Sequence, residues 1–341
     1  MCLFFYYNFM KVFLNLFFAL LLMCKVFSQD VNELHETARS YIKQGDYTNA
    51  AITLEKAIKI EPGNVGITKE LAISYMVLKK NNRALEVLIP FIENGKADDQ
   101  TYQLTGSIYN LLDQRKESDN IYKKGIKKFP TSGALYYEYG TLLLSRQDQN
   151  AIKIWEKGIE NDPQYAGNYY QACKQFNFSS NRVWTCIYGE TFLLLEPGTA
   201  RTAEIKYILT DTYKKLLSED DININTKSKS SFEKAYLQIV LKDRPAVNTS
   251  FTPELLTMFR TRFLLNWNNT FNKKYPFTLF QIQTNMIEDG LFEAYNQWLF
   301  GPVLNLGAYQ NWINTHPDEY SAFTNYQTGR IFKFSNTHYY H

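Results

Sequence analysis

Residues Val31 to Asn64 read VNELHETARSYIKQGDYTNAAITLEKAIKIEPGN. Two amphipathic segments are visible in this stretch, and the polar turn Gln44–Tyr47 separates them. The second segment ends at Glu61–Gly63, because proline followed by glycine prevents a helix from continuing. The stretch therefore predicts a pair of antiparallel helices joined by a short turn.

The same residue sizes return along the chain at intervals of 34 residues. Small side chains let two helix backbones approach closely, and large residues beside them fill the remaining space. A proline closes the unit again at Pro130 and, after a one-residue deletion, at Pro163, so the spacing predicts four copies. The recurring small residues are Ala38, Ala72, Gly106 and Gly140 in the first helix of each copy, and Ala50, Ala84 and Ser118 in the second.

This spacing resembles the tetratricopeptide repeat family over Val31–Pro163, and a degenerate fifth copy extends from Ala166 to Pro197. The resemblance implies an all-α fold, a solenoid of helix-turn-helix units that serves as a scaffold for another protein. Phe91 and Lys96 depart from the pattern, and they affect the expected local curvature rather than the fold class. The segment Arg182–Leu217 is also similar to exported repeat proteins of Gram-negative bacteria, which implies no activity.

The first 28 residues have the composition of a secretory signal peptide. Lys11 supplies a basic residue, an apolar run extends from Val12 to Cys24, and Val26–Ser28 is an acceptable cleavage sequence. We therefore expect an exported protein, periplasmic or secreted, with no membrane span in the mature chain. The alternative is an uncleaved membrane anchor, because Leu3–Met23 is long enough to span a bilayer.

The organisation changes after the repeats, which we place at 29–198. A helix predicted over 199–218 covers the open end of the array, and the polar stretch 219–230 is interpreted as a linker. From 231 to 341 the repeat spacing is lost and aromatic residues become more frequent. We expect a helical, aromatic-rich C-terminal domain with its rings in the core, and an aromatic ligand pocket is the alternative.

Composition and motifs give little support for a catalytic or nucleic-acid-binding protein. Lys plus Arg (37) nearly balance Asp plus Glu (34), so no charge field favours nucleic acid or a membrane surface. The sequence contains no phosphate-binding loop, metalloprotease motif or nucleophile motif, and we expect no catalytic residue, no metal site and no cofactor. Cys173 and Cys186 are interpreted as buried thiols, with a disulfide as the alternative.

Three hypotheses about function remain, and an exported scaffold that binds another protein or a peptide segment leads them. A ligand-binding protein that holds a peptide or glycan in its C-terminal domain is the alternative. An enzyme with an unrecognised site in that domain is less favoured.

The resemblance also places the binding residues, because the first helices of successive tetratricopeptide repeats line one face of the solenoid. The second, fifth, ninth, twelfth and thirteenth positions of a copy lie on that face. Copies one and two are basic there, so we expect a partner segment with a carboxylate near Arg39 and Lys69. The thirteen candidates are Asn32, His35, Arg39, Lys43, Lys69, Ile73, Met76, Gln103, Ser107, Asn110, Tyr137, Thr141 and Leu144.

Overall fold

The computed structural model describes residues 31–218, 230–244 and 250–335. All regular secondary structure in these ranges is helical, which confirms the predicted all-α class. The helices are α1 (31–43), α2 (Tyr47–Ile60), α3 (Val65–Val77), α4 (Asn81–Glu93), α5 (Asp99–Leu111), α6 (Arg115–Lys128), α7 (Gly133–Ser145), α8 (Ala151–Asn161), α9 (Ala166–Phe178), α10 (Arg182–Leu195), α11 (Ala200–Ser218), α12 (Ser231–Asp243), α13 (Pro253–Thr270), α14 (Thr278–Glu288), α15 (Phe292–Leu304), α16 (Leu306–Thr315) and α17 (Pro317–Thr328).

Two of the predicted segments fall where the structure gives no description. The predicted signal peptide, 1–28, lies outside the described residues, and so do residues 219–229 of the predicted linker. Within the three described ranges, no helix is both long enough and apolar enough to cross a membrane.

Side chains that accept a backbone hydrogen bond fix where several helices begin. Asp46, Asn64 and Asp98 each accept the N–H of the residue three positions later, at 2.9 to 3.0 Å. These bonds satisfy one of the donors that the first turn of a helix leaves unpaired. The starts of α2, α3 and α5 are therefore specified by single residues of the local sequence.

One residue in the left-handed backbone region closes the turn between the two helices of each copy. It is Gly45 in the first copy, with φ of 77°, and it recurs as Lys79, Asp113, Gln147 and Ser180 with φ between 55° and 61°. Non-glycine residues adopt this conformation only at a cost. The repeat geometry therefore favours this conformation at the turn, and the turn at Ser180 has the same left-handed residue as the turns of the first four copies.

The chain divides into two units, Met1–Phe129 and Pro130–His341. The first unit contains the helix pairs α1–α2, α3–α4 and α5–α6 in its described part. The second contains α7–α17, so the division falls between the third and fourth copies of the repeat.

Small residues lie at the helix crossings of the first unit, as the repeat spacing predicts. Ala38, Ala50 and Ala84 are completely buried. Gly106 faces the ring of Tyr122 so closely that a Cβ atom at this position would lie 2.4 Å from the ring. The large residue of one helix therefore occupies the space that the small residue of its neighbour leaves.

The crossings of the second unit follow the same rule. A Cβ atom on Gly140 would lie 2.3 Å from the Trp155 indole nitrogen. In the fifth copy, Cys173 takes the small position and its Sγ donates to the carbonyl oxygen of Thr185 at 3.4 Å. Cys173 and Cys186 are both buried free thiols, and burial raises the pKa of each.

The helices after the repeats pack directly on the repeat helices of the second unit. α12 and α14 contact α10, the last repeat helix, and α15 contacts α11, the helix that follows the repeats. Their core is aromatic: Phe232 stacks on Trp184 at 5.5 Å and meets Trp267 edge-on at 5.3 Å, and Trp267 meets Phe280 at 4.9 Å. Most of the aromatic residues that the sequence concentrates here therefore form the core rather than a ligand site.

A buried polar centre lies within this core. Arg260 donates to Glu190, and both side chains are at most 4% exposed. Glu190 also accepts hydrogen bonds from Tyr213 and Gln283 at 2.5 Å and from Tyr295 at 3.0 Å. The adjoining cavity measures about 10 Å³, which is space for about one water molecule. The centre is too small for a substrate, so we interpret it as structural.

Candidate protein-interaction surface

The thirteen candidate residues lie on α1, α3, α5 and α7, and none of them is buried. Ten lie in the first unit, and Tyr137, Thr141 and Leu144 lie in the second. We use the name A face for the surface of the first unit that α1, α3 and α5 form with those ten residues. Their role in partner binding stays a prediction, and the geometry around them defines what such a surface offers.

On α1, His35 and Arg39 both contact a carboxylate of α3, the next first helix. Glu70 of α3 lies 2.9 Å from His35 Nε2 and accepts from Arg39 Nε at 3.0 Å. Glu36 accepts a further bond from Arg39 at 3.1 Å. The hydrogen bond and the charge of Glu70 raise the pKa of Arg39.

A similar ion pair links α3 to the start of α5. Lys69 Nζ donates to Asp98 at 2.6 Å and to Gln100 at 2.7 Å. Burial opposes ionisation of Asp98, but hydrogen bonds from Lys69 and Thr101 lower its pKa overall. Asp98 therefore serves both as the cap of α5 and as the counter-ion of Lys69.

These pairs change the electrostatic character of the A face. Arg39 and Lys69 are positive positions in the repeat pattern, and Glu70 and Asp98 lie outside the thirteen candidate positions. With both acids in contact, the surface carries balanced charge pairs rather than a positive patch. A carboxylate of a partner would have to compete with Glu70 for Arg39, which reduces its net gain.

The A face also carries exposed apolar side chains that are not among the thirteen candidate residues. Val77 is 51% exposed at the end of α3, and Leu111 is 59% exposed at the end of α5. They lie one and two repeat lengths after Lys43, which is one of the thirteen candidate residues. The repeat spacing alone could therefore have identified both.

Two candidate residues of α5 are held by hydrogen bonds to Tyr122 of α6. Ser107 Oγ lies 3.0 Å from Tyr122 Oη, and Tyr122 also donates to the carbonyl oxygen of Gln103 at 3.3 Å. Only part of each side chain is available to a partner, because Gln103, Ser107 and Asn110 are half-buried.

The second unit repeats parts of this arrangement. Tyr137 Oη accepts from Gln171 at 3.5 Å and the Tyr137 ring lies 5.9 Å from that of Tyr165, while Leu144 is exposed. On α9 and α11, Lys174 pairs with Glu204 at 2.9 Å. A cation on a first helix that pairs with an acid on, or just before, the second helix after it is thus a recurrent arrangement.

The helix pairs, the buried small residues and the recurrent left-handed turn define an all-helical repeat protein. The repeats are of the tetratricopeptide type, and the family model described as tetratricopeptide repeat matches residues 35–64. No curated protein matches the chain.

Several solved structures of repeat proteins are similar over part of the chain. A tetratricopeptide repeat protein from Parabacteroides merdae aligns at 16% identity and a TM-score of 0.41, covering 74% of this chain and 96% of its own. Pseudomonas aeruginosa pilF aligns at 14% identity and a TM-score of 0.45, covering 55% and 86%. YrrB, titled a TPR protein with an unusual peptide-binding site, aligns at 14% and 0.36, covering 53% and 97%. At TM-scores this low, the fold assignment rests on the helices and crossings described above.

Proposed function

We propose that this protein is a scaffold that binds another protein or a peptide segment on the A face. The observation that carries the proposal is the combination of exposed Val77 and Leu111 with charge pairs that link the helices beside them. Apolar side chains supply most of the free energy when a partner covers them, at about 25 cal/mol per Å². The surrounding charges favour partners with complementary groups.

The partner that suits this surface is an extended or helical segment with apolar side chains against Val77 and Leu111. Its polar groups would face the pairs formed by Arg39 with Glu70 and by Lys69 with Asp98. A balanced surface favours a partner of mixed charge over a purely acidic one. The candidate residues Asn32, His35, Lys43, Ile73 and Met76 would complete the contact.

We further propose that the protein acts after export, in the periplasm or outside the cell. The composition of residues 1–28 supports this location. We also propose a non-enzymatic function, and the support for this is that the sequence contains no recognised catalytic motif.

Co-purification with matched variants tests the proposal. The tagged full chain is expressed in the source cells, and co-purifying proteins are quantified by mass spectrometry for wild type and for the double variant Val77→Asp/Leu111→Asp. The control is Ile52→Asp, because Ile52 is 48% exposed but lies on α2, outside the A face. Circular dichroism verifies that all three proteins are folded.

We expect a partner whose enrichment falls about tenfold or more in the double variant and is unchanged in the control, since burying a charge against an apolar contact costs more than about 1.4 kcal/mol. Equal enrichment with all three baits would contradict binding at the A face. So would the absence of any partner enriched over untagged cells.

A further inference from the structure

A cavity of about 490 Å³ opens in the second unit. It lies between the start of α13, the end of α15 and helix α16. Its volume falls within the range of about 300–1,000 Å³ that is typical of small-molecule sites. None of its lining residues belongs to the A face, so the cavity is independent of the proposed protein-binding surface.

Aromatic rings form one part of the wall. Trp312 and His316 stack with their planes 5° apart and their centres separated by 4.7 Å. Tyr309 and Phe251 line the cavity beside them. The imidazole of His316 is fixed, because its Nδ1 lies within hydrogen-bond distance of Thr315 and of the Trp312 carbonyl oxygen. Tyr309 and Trp312 are each 9% exposed, so the wall offers the small, preorganised apolar part of these rings that remains accessible.

Carboxamide groups form the polar part of the wall. Gln297 donates to Glu254 at 2.6 Å, which leaves its carbonyl oxygen as an acceptor. Asn305 accepts from the Ala308 N–H at 2.9 Å, which leaves its amide hydrogens as donors. Asn311 is exposed and presents both kinds of group. A ligand must therefore supply donors and acceptors side by side.

The charge of the lining excludes strongly charged ligands. The lining contains no lysine or arginine, so an anion would find no counter-ion. Its single carboxylate, Glu254, is already engaged: burial opposes its ionisation, but hydrogen bonds from Thr252, its own backbone N–H and Gln297 lower its pKa overall. The start of α13 also stabilises this negative charge. A cation therefore gains little here.

We propose that this cavity binds a neutral polyhydroxylated ring, that is, a mono- or disaccharide. The apolar C–H faces of a sugar ring match the aromatic wall, and its hydroxyl groups both donate and accept, as the carboxamides of Gln297, Asn305 and Asn311 require. The volume accommodates about one or two such rings.

Calorimetric titration of the full chain tests this assignment. The probes are glucose, galactose, mannose, N-acetylglucosamine, maltose and cellobiose, with glucuronate and trilysine as charged comparators. We expect at least one neutral sugar to bind with a Kd of about 1 mM or lower, and neither comparator to compete with it.

Substitutions on α16 supply the matched controls. Asn311→Ala should weaken sugar binding about fivefold or more, because it removes a lining carboxamide. Asn314→Ala should leave it unchanged, since Asn314 is also an exposed asparagine of the same helix and does not line the cavity. Ala308→Trp should abolish binding by filling the cavity from an exposed position.

Three results would overturn the assignment: no neutral sugar with a Kd below about 10 mM, sugar binding that Asn311→Ala and Ala308→Trp leave intact, or preferential binding of a charged comparator. Each would leave the A-face proposal standing, because that surface lies in the first unit.

Discussion

The ion pair between Glu190 and Arg260 should be the most energetically coupled pair in the second unit. Arg260 lies 5.2 to 5.5 Å from the ring centres of Tyr213, Phe292, Tyr295 and Phe300, with Glu190 as its counter-ion. Burial alone would lower the pKa of Arg260, but the charge of Glu190 raises it overall. Each charge is therefore tolerated only because the other is present.

Removing one partner leaves an uncompensated buried charge, which costs about 3–5 kcal/mol. We therefore expect Arg260→Met and Glu190→Gln each to lower the free energy of unfolding by about that amount. The double variant removes both charges and keeps one amide oxygen, which can accept either from Tyr213, the donor to Oε1, or from Gln283 and Tyr295, the donors to Oε2. Because no uncompensated charge remains, its loss should be no larger than that of either single variant, and therefore well below the sum of about 6–10 kcal/mol.

Urea unfolding followed by tryptophan fluorescence measures this coupling. All five tryptophans lie in the second unit, so the signal reports on the part of the chain that contains the pair. Arg260→Lys is the control that retains the charge without the planar guanidinium, and it should cost less than Arg260→Met. Strictly additive losses in the double variant would refute the coupling. The tryptophans are Trp155, Trp184, Trp267, Trp298 and Trp312.

Two further predictions concern single residues. Ala84 is completely buried at a helix crossing, so Ala84→Leu should cost about 1–3 kcal/mol by overpacking, and an unchanged Tm would contradict the repeat register. Lys206 donates to the carbonyl oxygen of Trp298 at 2.7 Å, and desolvation lowers its pKa to about 7. Between that pKa and the unfolded value of about 10.4, the unfolded chain binds more protons, so this lysine makes the fold more stable as pH rises. Urea titrations at several pH values give the free energy of unfolding of Lys206→Met minus that of wild type. This difference should be most positive at pH 7 and below and should decline towards pH 10. A difference that stays constant over this pH range would exclude the effect.

The repeat spacing predicted the surface positions better than their chemistry. The thirteen candidates lie on first helices of the repeats and none is buried, since a fixed period determines which side of a helix faces the neighbouring pair. Val77 and Leu111 could have been included on the same argument. The repeat spacing could not predict that Glu70 neutralises Arg39. Two residues 31 positions apart meet only when adjacent helices pack at a particular angle and distance.

The sequence by itself determined the helix pairs, their crossings and the all-α class, because small residues, caps and prolines act locally and recur every 34 residues. Only the tertiary structure decided that α12–α15 would pack on the repeat helices, that Glu190 would meet Arg260 across 70 residues, and that α13, α15 and α16 would enclose a cavity. The physical reason is that no period extends beyond the fifth copy. Contacts there depend on how large aromatic side chains fill shared space, and that filling depends on many distant residues at once.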